Sequence, residues 1–275
     1  MKWSKWIRHT ILAVMIVMAI FYAYPIYLVV INSVKTYDEI FSSPLSLPKA
    51  FNLQSYIDTW KVIQYPRYLM NSIIVTVVTS CIIIFISAMA AYKLERTNTR
   101  LSNTILFIFI SSILIPFQVL MVPLVRLAKE LGLKDSLLGL AVITAALKLA
   151  FAIFLYHGFI KGIPKALDEA AKIEGCGEFQ VYVFLIFPLL LPITMTILII
   201  DAISTWNDFL LPMLLLNGDT VKTLPLLAYS FISKYGGDWD KQLAAIVLCM
   251  FPMVIFYLAL QKYIVKGIAD GAVKE

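Results

Sequence analysis

Of 275 residues, 61% are hydrophobic and only 15% charged, and the mean hydropathy is +0.86. A water-soluble domain is roughly half apolar and about a quarter charged, so this composition excludes one and points to a chain solvated by lipid. The net charge of +6 would suit nucleic acid, but the basic residues flank apolar runs, as membrane proteins place them on the cytoplasmic side.

Lys2, Lys5 and Arg8 precede an apolar run over 11–31. A signal peptide begins this way too, but its apolar core is shorter and ends at a small-residue cleavage site. This run ends instead in Tyr22, Tyr24, Pro25 and Tyr27, which predicts an uncleaved first span. Five further runs, over 69–91, 105–125, 137–157, 181–203 and 243–260, are long enough to cross roughly 30 Å of hydrocarbon as helices. No soluble insertion, repeat or low-complexity stretch interrupts them. The expectation is an all-α membrane protein, one transmembrane domain over 1–275 with six spans and both termini on one side. Lys and Arg are denser in 1–10, 92–104, 158–180 and 261–275 than in the alternate segments, which puts both termini in the cytoplasm.

Residues 32–68 form a long outer loop rich in Pro, Ser and aromatics, with a helical stretch expected over 55–60 and interfacial packing favoured over ligand contact. In the third run, Pro116, Gln118 and Pro123 predict a kinked helix facing the bundle, because proline frees carbonyls that neighbours must satisfy. Lys148 lies in the middle of the fourth span, where a cation costs about 2.5–3.5 kcal/mol on insertion scales. It lines a translocation path or pairs with another chain. Asp201, the only acid inside an apolar run, is a candidate partner.

Between spans four and five, Pro164 suits a first helical turn. Asp168 and Glu169 follow where the helix dipole favours carboxylates, and Ala170 and Ala171 make a small face. Gly175 then ends the helix by adopting a left-handed conformation. After span five, Trp206-Asn207-Asp208 places an indole beside an amide and a carboxylate. That set suits either a sugar or an interfacial aromatic belt. Residues 210–227, broken at Asn217-Gly218-Asp219, are apolar enough to re-enter the bundle mouth or meet another protein. Cys81, Cys176 and Cys249 make no metal spacing and read as packing residues. His9 and His157 are isolated. Neither a Walker phosphate cradle nor a nucleophile motif is present, so no catalytic, cofactor or metal residue is expected.

Glu169, Ala170, Ala171, Gly175, Leu185, Phe187 and Pro188 together resemble the EAA loop of permease subunits of bacterial ABC importers, with Leu185 and Phe187 standing where that pattern prefers Ile and Leu. Ile115–Pro123, Trp206–Leu210 and a tail from Gln261 that includes Lys262, Val273 and Lys274 are similar to the carbohydrate branch, the maltose-transporter inner permease in particular. The resemblance implies a type I importer permease fold with an EAA coupling loop over 161–188. It also implies a location in the bacterial cytoplasmic membrane, a heterodimer with a second permease, two copies of an ABC ATPase and an extracytoplasmic sugar-binding protein. ATP and Mg would bind the ATPase rather than this chain. Asp168, Glu169, Ala170, Ala171, Gly175 and Pro188 would couple to that ATPase, with Gly175 setting the bend that carries movement into span five. Lys148, Asp201, Trp206, Asn207 and Asp208 are candidates for the translocation path. The alternatives are a permease for a non-sugar solute, which the shared EAA loop allows, or an ATP-independent carrier, which should show paired repeats and buried acids.

Overall fold

The structure, a computed structural model, describes residues 5–218, 221–234 and 237–272, with only the backbone described for Lys5, 230–234 and 262–272. Lys2, Asp219, Val273 and Lys274 lie outside the described residues. Among those described, every regular element is helical. In chain order they are α1 (Lys5–Asn32), α2 (Tyr37–Ser42), α3 (Gln54–Val62), α4 (Tyr65–Thr97), α5 (Arg100–Ser112), α6 (Phe117–Glu130) and α7 (Leu137–Ile160). Then follow α8 (Ala166–Ile173), α9 (Glu178–Leu189), α10 (Leu191–Trp206), α11 (Leu210–Leu215), α12 (Leu224–Lys234) and α13 (Trp239–Ala272). By packing they form two compact units. One is the chain up to Tyr65 with Leu227–Pro252, and the other is Pro66–Leu226 with the chain from Met253.

Helices α1, α4, α7 and α13 are each long and apolar enough to cross a membrane. Two bent pairs bring the number to six if each pair is one span. The third apolar run is one of these, and the kink expected within 105–125 is sharp enough to divide it into two helices. Pro116 has no N–H to continue the ladder of α5, so it caps a new helix instead, and α5 and α6 meet at 103°. With 13 and 14 residues each is roughly 20 Å long, too short to span alone. Pro116, Gln118 and Pro123 themselves are exposed in this chain. Helix α6 faces the bundle through Ala128, Leu124 and Val125. In the fifth run Pro188 brings no N–H and crowds the Phe184 carbonyl. The helix widens to a π turn over Val181–Ile186, then breaks before Leu191 with a 72° bend.

In the first unit the loop after α1 is a packed knot. Lys35 is fully buried, its ammonium donating to Asn32 Oδ1 at 2.9 Å, the Ser43 carbonyl at 2.8 Å and the Pro44 carbonyl at 3.3 Å. Helix α3 is tied to α13 by Ser55, which donates to Asp240 at 2.6 Å, and by Thr59, which donates to the Lys241 carbonyl at 3.3 Å.

The second unit is built around α7, whose most apolar 18-residue stretch is 50% buried, against only 6% for that of α1. Ala145 and Ala152 let neighbouring helices close in, and Ile153, Tyr156 and Ile160 pack with Val181, Tyr182 and Ile186 of the π turn. His157, isolated in sequence, pairs with Glu95 of α4 at 2.9 Å. Cys176 packs against this core, whereas Cys81 is exposed on α4 rather than packed.

At the start of α7, a Cβ on Gly139 would overlap the backbone carbonyl of Leu133. Replacing glycine by alanine in a helix ordinarily gains roughly 0.5–1 kcal/mol, while forcing an atom into packed backbone costs about 1–3 kcal/mol. Clash should win. Gly139→Ala is therefore expected to lower the thermal midpoint of the purified protein. Gly158→Ala, on the same helix with nothing near its Cβ, should hold or raise it. Equal midpoints would show that the loop gives way freely.

Candidate functional site

Helix α8 is eight residues long, and only Asp168 and Ala171 turn inward while the other six residues are exposed. Ala166, Glu169, Ala170 and Ile173 are exposed, at the i, i+3, i+4, i+7 spacing that makes one stripe. Ile173 is 88% exposed, an apolar side chain that periodicity alone did not single out. Asp168 lies on the opposite side and is only 5% exposed, and Ala171 packs into the core there. The two alanines expected to form one small face are thus split, with Ala170 outward and Ala171 inward. Of the two adjacent acids, Glu169 is available to a partner and Asp168 is spent within the chain.

The end of α8 is set by its backbone. Gly175 has φ of +90°, and its N–H bonds the Lys172 carbonyl at 3.0 Å. Cys176 N–H reaches back to the Ala171 carbonyl at 3.0 Å. These two bonds form a Schellman motif, and Cys176 and Ala171 both pack against the same core. A side chain at 175 would be strained in this conformation even though the space is open.

Asp168 is held by α4. Tyr92 hydroxyl donates to Asp168 Oδ1 at 2.6 Å. Arg96 Nη2 lies 2.9 Å from Oδ2, close as charges though not aligned as a hydrogen bond. The same guanidinium donates from Nη1 and Nη2 to the Ile163 carbonyl at 3.2 and 3.3 Å. Lys93 pairs with Glu178 at 2.8 Å across a small cleft of about 140 Å³, lined by Tyr92, Arg96, Lys165, Asp168, Glu169 and Lys172 among others. Pro188 is exposed in α9, and Phe187 beside it stacks on Phe85 of α4, with centroids 6.4 Å apart.

The second cluster lies between α7 and α10. Lys148 Nζ sits 3.3 Å from Asp201 Oδ1 and donates to Ser204 and Thr205 hydroxyls, both at 2.6 Å. Asp201 also accepts from Ser80 at 2.7 Å and Thr205 at 3.2 Å. The intramembrane cation is thus paired within its own chain, so no companion is needed to neutralise it. A cavity of about 160 Å³ opens beside it, lined by Phe151, Ile83, Ile197 and Ile200 with Lys148, Asp201 and Ser204 as its polar groups.

The remaining candidates serve the helix end. Trp206 is 6% exposed and so presents no open face for a sugar in this chain. Asn207 side-chain N–H bonds the Ile203 carbonyl at 3.0 Å, and Asp208 accepts from the Leu211 N–H at 3.3 Å at the start of α11. Burial raises the Asp208 carboxyl above its ordinary value, offset in part by that N–H and by the charge of Lys148. Among the described residues no group of His, Cys, Asp and Glu could hold a metal.

Residues 82–270 match the family described as the binding-protein-dependent transport system inner membrane component. The chain is 39% identical over 262 residues to the probable starch degradation products transport system permease protein AmyC of Thermoanaerobacterium thermosulfurigenes, covering 94% of each. It is 33% identical to the melibiose/raffinose/stachyose import permease protein MelC of Bacillus subtilis, over 96% of this chain and 95% of that one. Its fold aligns, at a TM-score of 0.78 and 23% identity, with a chain from a bacterial ABC transporter involved in the import of the acidic polysaccharide alginate, covering 96% and 99% of the two chains. A chain whose described regular elements are all helical, with a short helix anchored through Asp168 between its fourth and fifth apolar runs, thus belongs to the family of binding-protein-dependent transport system inner membrane components.

Proposed function

We propose that this chain is one permease of an ATP-driven importer for a sugar or oligosaccharide, in the bacterial cytoplasmic membrane with both termini in the cytoplasm. The observation that carries the reading is the exposed stripe Ala166, Glu169, Ala170 and Ile173 on a helix otherwise fixed to the bundle. Small residues admit a close partner, Ile173 offers an apolar anchor, and Glu169 offers a carboxylate to a basic group. That set suits a groove on an ABC ATPase, two copies of which would hold the ATP and Mg. A second permease and an extracytoplasmic sugar-binding protein complete the assembly. Closure of the ATPase dimer then draws the α8 helices together, and the bundles rock to open outward. Sugar passes in, and hydrolysis resets the inward-facing state.

The names of the relatives, a starch-product permease and a melibiose/raffinose/stachyose permease, support carbohydrate as the cargo. So does the charge of the α7–α10 cluster. A permease for an anionic solute needs unneutralised cations along its route, and Lys148 is matched by Asp201. The cavity beside this pair combines an aromatic ring, aliphatic walls, the Ser204 hydroxyl and a matched ion pair, a lining with no net charge that suits a neutral polyol. Lys148 and Asp201 therefore belong to the route proposed for the sugar.

In the assembled transporter, Glu169→Lys is expected to insert normally yet cut uptake by at least about tenfold, a loss of ~1.4 kcal/mol in coupling, while ATP hydrolysis persists. Gly175→Leu should act in the same direction through backbone strain. Normal uptake in both would remove the docking role. Lys148→Met leaves Asp201 buried and unpaired, which costs roughly 3–5 kcal/mol, so the yield of folded complex should fall. Adding Asp201→Leu should restore the complex but not uptake. Full uptake in that double variant would reduce the pair to a brace.

A further inference from the structure

We propose that Arg96, with Tyr92, is the positioning residue that fastens α8 to α4, so that movement of α8 enters the membrane through the second span and not only through the fifth. The inference rests on the reading of α8 as an ATPase-driven lever, and adds the route by which the push is carried inward.

A lever must be stiff where it joins its load. Along the backbone, α8 is joined poorly. It is preceded by the bends at 161–165 and followed by Gly175 at φ +90°, so the helical ladder is interrupted on both sides. Force passed only along the chain would be taken up at these two breaks. The side chains supply another path. Tyr92 and Arg96 lie four residues apart on one face of α4. Both reach Asp168, the buried residue of α8 on the side away from its exposed stripe. Arg96 also holds the Ile163 carbonyl, so one planar guanidinium grips the helix and the connector before it. The Tyr92 ring packs on Tyr182 in the π turn with centroids 5.4 Å apart, and Lys93 reaches Glu178 at the start of α9. Glu95 meets His157 near the end of α7. The last turns of α4 thus touch the element before the lever, the lever itself and the element after it.

The test uses the assembled transporter with Cys81, Cys176 and Cys249 replaced. Spin labels go at Lys172→Cys on the exposed part of α8 and at Thr97→Cys at the end of α4, both exposed positions. The α8–α4 distance is measured without nucleotide and with ATP trapped, and a crosslink from Ala170→Cys to the ATPase is scored in the same preparations. The expected result is one distance in both states, with Arg96→Ala broadening it or shifting it by about one helical turn, ~5 Å, when ATP binds. The charge exchange Arg96→Asp with Asp168→Arg should return the narrow distribution. Where Arg96→Ala does not assemble, Tyr92→Phe removes a single hydroxyl and carries the same test. A distance that changes with ATP in the unmodified pair overturns the proposal. So does an Arg96→Ala or Tyr92→Phe distribution indistinguishable from it. If the Ala170 crosslink itself is missing, the lever reading fails. If that crosslink forms while α8 slides against α4, only the fastening fails.

Discussion

The carboxylate of Asp168 points inward, and its pairing with Tyr92 and Arg96 decides which way the rest of α8 must face. A buried carboxylate without a partner would cost several kcal/mol, so the helix cannot roll about its axis without breaking these contacts. With that rotation forbidden, Ala166, Glu169, Ala170 and Ile173 are held outward as a stripe. Gly175 fixes where the stripe ends. One inward acid thereby gives direction to its outward neighbour, and the two adjacent carboxylates do opposite jobs.

The same rule governs the apolar interior. Hydrocarbon offers no water to satisfy a charge, so Lys148 is gathered into a set with Asp201, Ser80, Ser204 and Thr205 that closes within the chain. Irregular backbone also collects where the chain must bend. Pro116 separates α5 from α6, and Pro188 accompanies the π turn and the break before α10. The π turn adjoins the lever and the Tyr92–Tyr182 contact, so the least regular part of the fifth run lies next to the element proposed to move.

Local chemistry was legible in the sequence. Glycine at 175, the acids in the first turns of α8 and the proline breaks all act through backbone conformation, which depends on nearest neighbours. The apolar runs were legible because hydrocarbon thickness fixes their length. What escaped was pairing at a distance. Arg96 read as one of a cluster of cytoplasmic basic residues, since nothing within a few positions showed an acid across from it. His157 read as isolated for the same reason, with Glu95 far away in sequence. Trp206 suited either a sugar-stacking platform or an interfacial belt, but an indole at the end of a packed helix is buried as readily as displayed. Ala170 and Ala171 looked like a pair because adjacent residues are read together, although 100° of helical rotation puts them on different sides.

The central claim, that the outward stripe of α8 seats in a partner ATPase, is tested most directly by cysteine crosslinking along this helix in membranes that contain the whole transporter. Ala170→Cys and Ile173→Cys should link to the ATPase, and Ala171→Cys, turned into the bundle, should not. A helix that links at none of these positions, or that is labelled only from the external side of the membrane, would contradict it.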